Sequence, residues 1–143
     1  MSGETEQVRL EELLSAARGG VLVTLKRDGR PQLSNVNHVF DPGTGLLRIS
    51  STDDRAKVRN LRRDPRASFH VSTGTMGAYA VAEGDADLSP VAAAPDDPTV
   101  DELVAVYRAN AGEHPDWAEF RAAMVAERRV VIRIAVSRVY GRA

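Results

Sequence analysis

Residues 47–66 read Leu-Arg-Ile-Ser-Ser-Thr-Asp-Asp-Arg-Ala-Lys-Val-Arg-Asn-Leu-Arg-Arg-Asp-Pro-Arg, an apolar strand that ends in three hydroxyl residues and turns directly into a basic helix. We expect the helix to begin near Asp53 or Asp54, where its free backbone N–H groups and the hydroxyls can donate to one anion. Arg55 and Lys57 add positive charge to the first turn. The stretch therefore predicts a site for a phosphate-type anion, and the alternative is an ordinary solvated helix.

Length and composition are typical of a single globular domain. The chain has 143 residues, 43% of them hydrophobic, and no apolar run approaches the roughly 20 residues that span a membrane. There are no cysteines, which excludes disulfides, thiolate zinc sites and cysteine nucleophiles. The polar N-terminus lacks the hydrophobic core of a signal peptide, so we expect one cytoplasmic domain over residues 1–143.

Charge is distributed unevenly along the chain. The net charge is only -1, yet basic residues concentrate between Arg55 and Arg66 while acidic residues gather between Glu83 and Glu102. A near-neutral chain with 5% aromatic residues is a poor nucleic-acid binder, which makes that function a minor alternative. The asymmetry indicates a local anionic ligand.

Hydrophobic periodicity predicts the elements of the first half of the chain. They are a helix over residues 8–17, strands over 21–25, 31–40 and 46–51, the basic helix 55–66, and strands over 67–72 and 79–88. The Asp28-Gly29 dipeptide predicts a hairpin turn, so the first three strands should form a meander. Gly84 in the narrow strand 79–88 indicates a bulge.

The second half of the chain predicts two helices and a closing strand. Thr99 is a candidate N-cap for a helix over residues 99–110, and Pro115 is expected to open a helix over 115–126. The second helix should bury Trp117, Phe120, Ala123 and Met124. Residues 129–140 alternate as a strand. About six strands with peripheral helices predict a mainly β protein with an antiparallel barrel.

Three segments of the chain carry a resemblance to a known family. They are Gly-Val-Leu-Val-Thr-Leu at 20–25, Asp-Gly-Arg-Pro-Gln-Leu-Ser-Asn-Val at 28–36, and Arg-Ala-Lys-Val-Arg-Asn-Leu-Arg-Arg-Asp-Pro-Arg at 55–66. Further agreement comes from residues 79–84, 111–117 and 139–141. In these segments the chain resembles the pyridoxamine 5′-phosphate oxidase-like superfamily, and within it the actinobacterial branch that uses the deazaflavin coenzyme F420, of the flavin/deazaflavin oxidoreductase B type. The match spans nearly the whole chain in order.

The resemblance implies a six-stranded split β-barrel of the FMN-binding type, assembled as a homodimer with cofactor sites at the interface. The implied cofactor-binding positions are Arg30, Pro31, Gln32, Ser34, Asn35 and Val36 on the second strand, Ser50 and Ser51 after the third, and Arg55, Lys57 and Asn60 on the basic helix. Arg55 and Lys57 would hold the phosphate, and Gln32 and Ser34 would contact the ring. The Met76-Gly77 loop and Tyr79 would come from the partner subunit. For each position the alternative is a purely structural role.

The expected chemistry belongs to the cofactor. A deazaflavin or flavin performs the redox step itself, which agrees with a chain in which we identify no catalytic residue and no metal site; His38, His70 and His114 lack metal-ligand spacing. We expect hydride transfer from reduced F420 to an enone, quinone or nitro-type small molecule. One alternative is an FMN-dependent pyridoxamine 5′-phosphate oxidase, although the last residues, 139–143, lack that family's basic, tryptophan-containing end. The other is a non-catalytic module that binds a flavin, haem or bilin.

Overall fold

The structure is a computed structural model that describes residues 3–143. In the described part of the chain, four helices and seven strands follow one another in sequence. They are α1 (Gly3–Ala16), β1 (Gly19–Leu25), β2 (Pro31–Asn37), β3 (Val39–Asp41), β4 (Leu46–Thr52), α2 (Ala56–Arg63), β5 (Arg66–Ser72), β6 (Tyr79–Leu88), α3 (Pro98–Ala111), α4 (Trp117–Ala126) and β7 (Arg129–Arg142). The predicted mainly β class with peripheral helices is confirmed. No helix within residues 3–143 is both long enough and apolar enough to cross a bilayer.

The strands form one antiparallel sheet in the order β2-β1-β5-β6-β7-β4-β3. β2 and β3 lie at opposite edges of this sheet, yet a single residue, His38, separates them in the chain. The two edges must therefore approach each other, which curls the sheet into a split barrel.

This arrangement corrects the expectation of one strand over residues 31–40. The segment divides at His38, because its first part pairs with β1 and its last part pairs with β4 on the other edge. The division gives seven strands rather than six and replaces the simple three-strand meander.

The barrel is filled by residues that alternate along its strands. Leu22, Leu47, Phe69 and Ile132 are fully shielded from solvent. Complete burial of such a side chain contributes about 1.5–3 kcal/mol. α1 covers the barrel with its apolar residues, of which Leu14 has no exposed surface. α1 begins earlier than the predicted residue 8, in a polar stretch without apolar periodicity, where Arg9 donates to Glu6 one turn earlier at 2.8 Å.

The basic helix α2 is shorter than the predicted 55–66. It begins at Ala56 rather than near Asp53 or Asp54, because residues 52–55 form a turn closed by a hydrogen bond from the Arg55 N–H to the Thr52 carbonyl oxygen at 3.2 Å. The helix ends at Arg63, before Asp64-Pro65, as expected when proline follows. Val58 and Leu61 bury the inner side of α2 against the barrel.

α3 and α4 occupy the connection between β6 and β7. Asp97, not Thr99, caps α3, since its carboxylate accepts the Val100 N–H at 2.8 Å. The Thr99 hydroxyl instead donates to the Pro90 carbonyl oxygen at 3.0 Å. Asp116 caps α4 in the same way, so this helix begins at Trp117 rather than at Pro115.

The two helices enclose a second, smaller core next to the barrel. Its buried residues are Ala92, Val100, Leu103, Val104, Phe120, Met124 and Val131. Of the predicted buried side of α4, Phe120 and Met124 are buried, whereas Trp117 and Ala123 are only partly buried. Trp117 lies at the edge of this core, where Arg108 lies over its ring, 4.8 Å from the centroid.

The bulge expected near Gly84 is confirmed. The pairing of β6 with β7 shifts register between Glu83 and Gly84. A Cβ atom at Gly84 would stand 2.1 Å from the Ala135 carbonyl oxygen, so only glycine allows the two backbones to approach this closely.

Candidate functional site

A cavity of about 570 Å³ lies between the sheet and the helices α3 and α4. One wall is polar and comes from the ends of β2 and β4, the start of α2 and the start of β7. The opposite wall is largely apolar and includes Leu103, Val106, Phe120 and Met124. The volume and the mixed lining are typical of a site for a small organic molecule.

Three cations line the polar wall, namely Arg55, Lys57 and Arg129. Within residues 3–143, no carboxylate forms an ion pair with Arg55 or Lys57, whereas Arg129 is paired with Glu127. Partial burial, together with the positive charges of Arg55 and Arg129, lowers the pKa of Lys57 below its ordinary value. An anion bound here would offset this repulsion.

The two acidic residues that precede Arg55 in sequence, Asp53 and Asp54, form no ion pair with the cavity cations, and Asp54 accepts the Thr52 hydroxyl at 2.9 Å while Asp53 is engaged elsewhere. Its carboxylate accepts hydrogen bonds from Arg62 and Arg128, and the Arg128 contact measures 3.2 Å. These two hydrogen bonds hold the pKa of Asp53 below its usual range. Asp53 therefore neutralises cations outside the cavity and leaves Arg55 and Lys57 uncompensated.

The serine hydroxyls at the end of β4 lie on different faces of the strand. Ser50 shares the outer face with Thr52, and its hydroxyl is 3.5 Å from Nη1 of Arg129. Ser51 lies on the inner face and is only 3% exposed, and its Oγ has no hydrogen-bond partner within residues 3–143. Because buried hydroxyls are nearly always paired, Ser51 is a candidate partner for a bound ligand at the edge of the cavity.

A chain of hydrogen bonds fixes the orientation of Gln32. Arg63 approaches Oδ1 of Asn60 at 3.4 Å, so the Asn60 amide nitrogen faces the sheet and donates to Thr24 at 3.1 Å and to Oε1 of Gln32 at 2.9 Å. The Gln32 oxygen is thereby occupied. Its Nε2 group is left to donate, which suits a ligand carbonyl.

The structure brings six of the predicted cofactor positions to the cavity. They are Asn35, Val36, Ser50, Ser51, Arg55 and Lys57. The remaining predicted positions lie outside its lining.

Gln32 of β2 and Asn60 of α2 face each other, Ser34 is half-buried on β2, and Arg30 and Pro31 are exposed where β2 begins. Met76, Gly77 and Tyr79 are the positions expected to reach the site from the partner subunit, and they lie in or directly after the exposed turn between β5 and β6. Met76 is 81% exposed with φ 61°, Gly77 is exposed, and Tyr79 stacks on His70 with ring centroids 5.8 Å apart. The predicted positions thus form three groups. The cavity group is the six residues that line the cavity, and the turn group is Met76, Gly77 and Tyr79. The β2 group is Arg30, Pro31, Gln32 and Ser34, with Asn60 of α2 facing Gln32.

Part of the cavity lining comes from residues that the sequence does not identify as site residues. Arg129 is predicted only as the first residue of a strand, and the helix over residues 99–110 carries no predicted site residue, although Tyr107 and Asn110 of this helix reach the cavity. No motif marks these residues. The one available signal for Arg129 was a cation at the first position of a strand, which is too common to identify a site.

Comparisons with known proteins extend this description. The profile of the family described as pyridoxamine 5′-phosphate oxidase matches residues 7–143. Among solved structures, the protein Rv2991 of Mycobacterium tuberculosis is 24% identical, with a TM-score of 0.73, and the match covers 99% of this chain and 84% of that one.

Two further structures share the fold. A protein named F420 reductase is 24% identical with a TM-score of 0.69, over 91% of this chain and 94% of that one. An FAD-binding protein of Mesorhizobium loti is 20% identical with a TM-score of 0.68, and the match covers 95% of this chain and 91% of that one. The structural likeness establishes the split-barrel fold, and the family profile covers almost all of the sequence. The chain belongs to the pyridoxamine 5′-phosphate oxidase family.

Proposed function

We propose that this protein is an oxidoreductase that uses reduced coenzyme F420 to reduce an unsaturated, quinone or nitro-type small molecule. The observation that carries the proposal is the pair of uncompensated cations, Arg55 and Lys57, on the wall of a cavity large enough for an organic ligand. A half-buried lysine beside an exposed arginine, neither of them paired with a carboxylate, favours a phosphate group as the counter-ion.

The residues present fit a phosphorylated tricyclic cofactor. Arg55 and Lys57 would bind its phosphate, and the outward-facing Ser50 would donate to one of the phosphate oxygens, whereas Ser51 lies on the inner face of β4. The free Nε2 group of Gln32 would donate to a carbonyl at the ring edge, and Ser34 lies two residues further along the same face of β2. When bound, the deazaflavin supplies the hydride, and the protein's part is to orient the ring and exclude water.

Two observations favour F420, and one keeps a flavin as the second candidate. The motifs in residues 28–36 and 55–66 resemble the F420-dependent branch, and a protein named F420 reductase shares the fold. The FAD-binding protein with the same fold makes FMN the alternative cofactor. A phosphate-binding cavity serves both molecules, so direct binding must decide between them.

Binding measurements test the cofactor assignment. The protein would be titrated with F420 and with FMN, following ligand fluorescence, for wild type, Arg55→Ala and Lys57→Ala. We expect each substitution to weaken F420 binding by about 1.5–3 kcal/mol, roughly 10- to 150-fold, because each removes a charge-assisted hydrogen bond. Arg59→Ala is the matched control, since it removes the same charge from α2 but lies outside the cavity lining.

Turnover tests the reaction. Reduced F420 would be mixed with the protein and a panel of enones, quinones and nitro compounds, and its oxidation followed by absorbance. Oxidation that requires both protein and acceptor supports the proposal. Tight retention of FMN without F420 binding would overturn the cofactor assignment, and F420 binding without oxidation by any acceptor would identify a non-catalytic binding module.

A further inference from the structure

Arg129 occupies a fixed place beside the two uncompensated cations. It is the first residue of β7 and pairs directly with Thr52, the last residue of β4. Directly paired residues of an antiparallel sheet project to the same face, so the Arg129 side chain emerges beside the outward-facing Ser50 and Thr52. The preceding residue, Arg128, has φ 53° and its carbonyl oxygen accepts the Asp53 N–H at 3.0 Å. This tight connection fixes the point at which Arg129 enters the site.

Glu127 holds the guanidinium of Arg129 from one side. Nε and Nη2 of Arg129 both donate to Oε1 of Glu127, at 2.9 and 2.7 Å. Nη1, on the opposite side of the group, is directed toward Ser50 at 3.5 Å, a distance at the limit of a hydrogen bond. Two of the three guanidinium nitrogens are therefore engaged by the carboxylate, and the third faces the cavity.

The lining of the cavity has an uneven charge. Among its residues, Glu127 is the one carboxylate, against the three cations Arg55, Lys57 and Arg129. If Glu127 served only to cancel Arg129, the site would still present two positive charges. Because Glu127 binds the Nε and Nη2 edge of the Arg129 guanidinium, Glu127 also determines that Nη1 is the nitrogen that faces the cavity.

We propose that Arg129 is a third anion-binding residue of this cavity and that Glu127 is the positioning residue that presents its Nη1 group to the ligand. The ligand group is a phosphate whose oxygens reach Arg55, Lys57 and Arg129 together. This inference rests on the proposed function only in taking the ligand to be phosphorylated; it holds for a flavin phosphate as well as for a deazaflavin.

The test for Arg129 compares a phosphorylated ligand with the same ligand lacking the phosphate. FMN and riboflavin share one ring and differ in the phosphate, so both would be titrated into wild type and Arg129→Ala, with inorganic phosphate as a competitor. We expect Arg129→Ala to weaken FMN binding 10- to 100-fold and to leave riboflavin binding unchanged. Arg128→Asn is the matched control, because it removes a neighbouring charge outside the cavity lining and asparagine tolerates the left-handed conformation.

The test for Glu127 uses two variants that both lack the carboxylate charge. Glu127→Gln keeps an oxygen acceptor for Nε and Nη2, whereas Glu127→Ala does not. We expect Glu127→Gln to bind FMN at least as tightly as wild type and several-fold more tightly than Glu127→Ala. Equal affinity of the two variants would show that Glu127 acts through charge alone and overturn its positioning role.

Three further outcomes are decisive. If Arg129→Ala leaves FMN binding unchanged, Arg129 is only the surface partner of Glu127 and the inference is wrong. If wild type binds neither FMN nor inorganic phosphate at millimolar concentration, it is also wrong. If FMN binding depends on Arg129 but F420 is neither bound nor oxidised, the inference stands and the proposed F420 reductase activity fails.

Discussion

Nε2 of His38 donates a hydrogen bond to the Leu14 carbonyl oxygen at 2.8 Å. The ring is 1% exposed, packs on Phe69 with centroids 4.4 Å apart, and its Nδ1 has no hydrogen-bond partner within residues 3–143. His38 also separates β2 from β3, so this one contact joins α1 to the point where the two edges of the sheet meet. The arrangement requires a neutral imidazole, with its proton on Nε2.

Stability is expected to depend on pH through His38. Burial lowers the pKa of His38 below its ordinary value of 6.5, so the unfolded chain binds a proton at a higher pH than the folded one. The free energy of unfolding should therefore fall as the pH drops from 6.5 toward the lowered pKa. Above pH 6.5, His38 should contribute no further pH dependence. Urea denaturation at pH 7.5 and pH 5.5, for wild type and His38→Gln, measures this dependence.

The His38→Gln variant should lose this part of the pH dependence. Glutamine retains an N–H donor for the Leu14 carbonyl oxygen but does not titrate, and we expect an overall cost of about 1–3 kcal/mol from imperfect packing. If wild type and variant lose equal stability between the two pH values, His38 does not control acid sensitivity.

Gln32 offers a test of polarity at the predicted ring-binding strand. Gln32→Glu keeps an oxygen for the Asn60 amide but replaces the free Nε2 donor with a second oxygen. We expect cofactor affinity to fall by about 1–3 kcal/mol, because a carboxylate faces the carbonyl edge of the ring, while the thermal unfolding midpoint changes little. The titration used for Arg55→Ala measures the effect. Unchanged affinity would mean that the ring does not lie against Gln32.

Gly84 should tolerate no side chain. Gly84→Ala would place a Cβ atom 2.1 Å from the Ala135 carbonyl oxygen, so β6 and β7 must separate at the bulge. We expect a loss of about 1–3 kcal/mol in the free energy of unfolding, measured by urea denaturation. Gly74→Ala is the control, because no heavy atom lies within 4 Å of its added Cβ. Equal stabilities of the two variants would contradict the close approach.

We predict a homodimer from the exposed apolar side chains near the β2 and turn groups. Leu33 on the edge strand β2 is 62% exposed, and Met76 is 81% exposed. Side chains of this kind at a sheet edge commonly mark an interface. Sedimentation equilibrium at micromolar concentration should give a dimer, and Leu33→Glu should shift the equilibrium toward monomer. A monomeric wild type would exclude a site shared between subunits.

Local patterns predicted most of the fold, and long-range pairing explains the main differences. Residues 31–40 alternate through Leu33, Asn35, Asn37 and Val39 and read as one strand, and nothing local shows that the chain changes partner at His38. At α3, Asp97 and Thr99 are both good N-cap residues. Pro98 between them favours Asp97, because proline suits the first helical position.

The candidate site likewise contains residues that local sequence predicts and residues that only long-range strand pairing brings in. Arg55 and Lys57 were predictable because they flank the start of one helix, a known place for anions. Arg129 was not, because it reaches Ser50 only through the pairing of β7 with β4. The apolar wall was unpredictable for a similar reason, since Leu103 and Phe120 are core residues on any local criterion.

The position of α3 and α4 in the chain has an evolutionary consequence. Both helices lie in the single excursion between β6 and β7, two strands that already pair with each other over residues 79–88. The excursion can be lengthened, shortened or exchanged without re-registering any strand. A change of sequence within this excursion would therefore reshape the apolar wall of the cavity, while Arg55 and Lys57, which lie outside it, keep their positions.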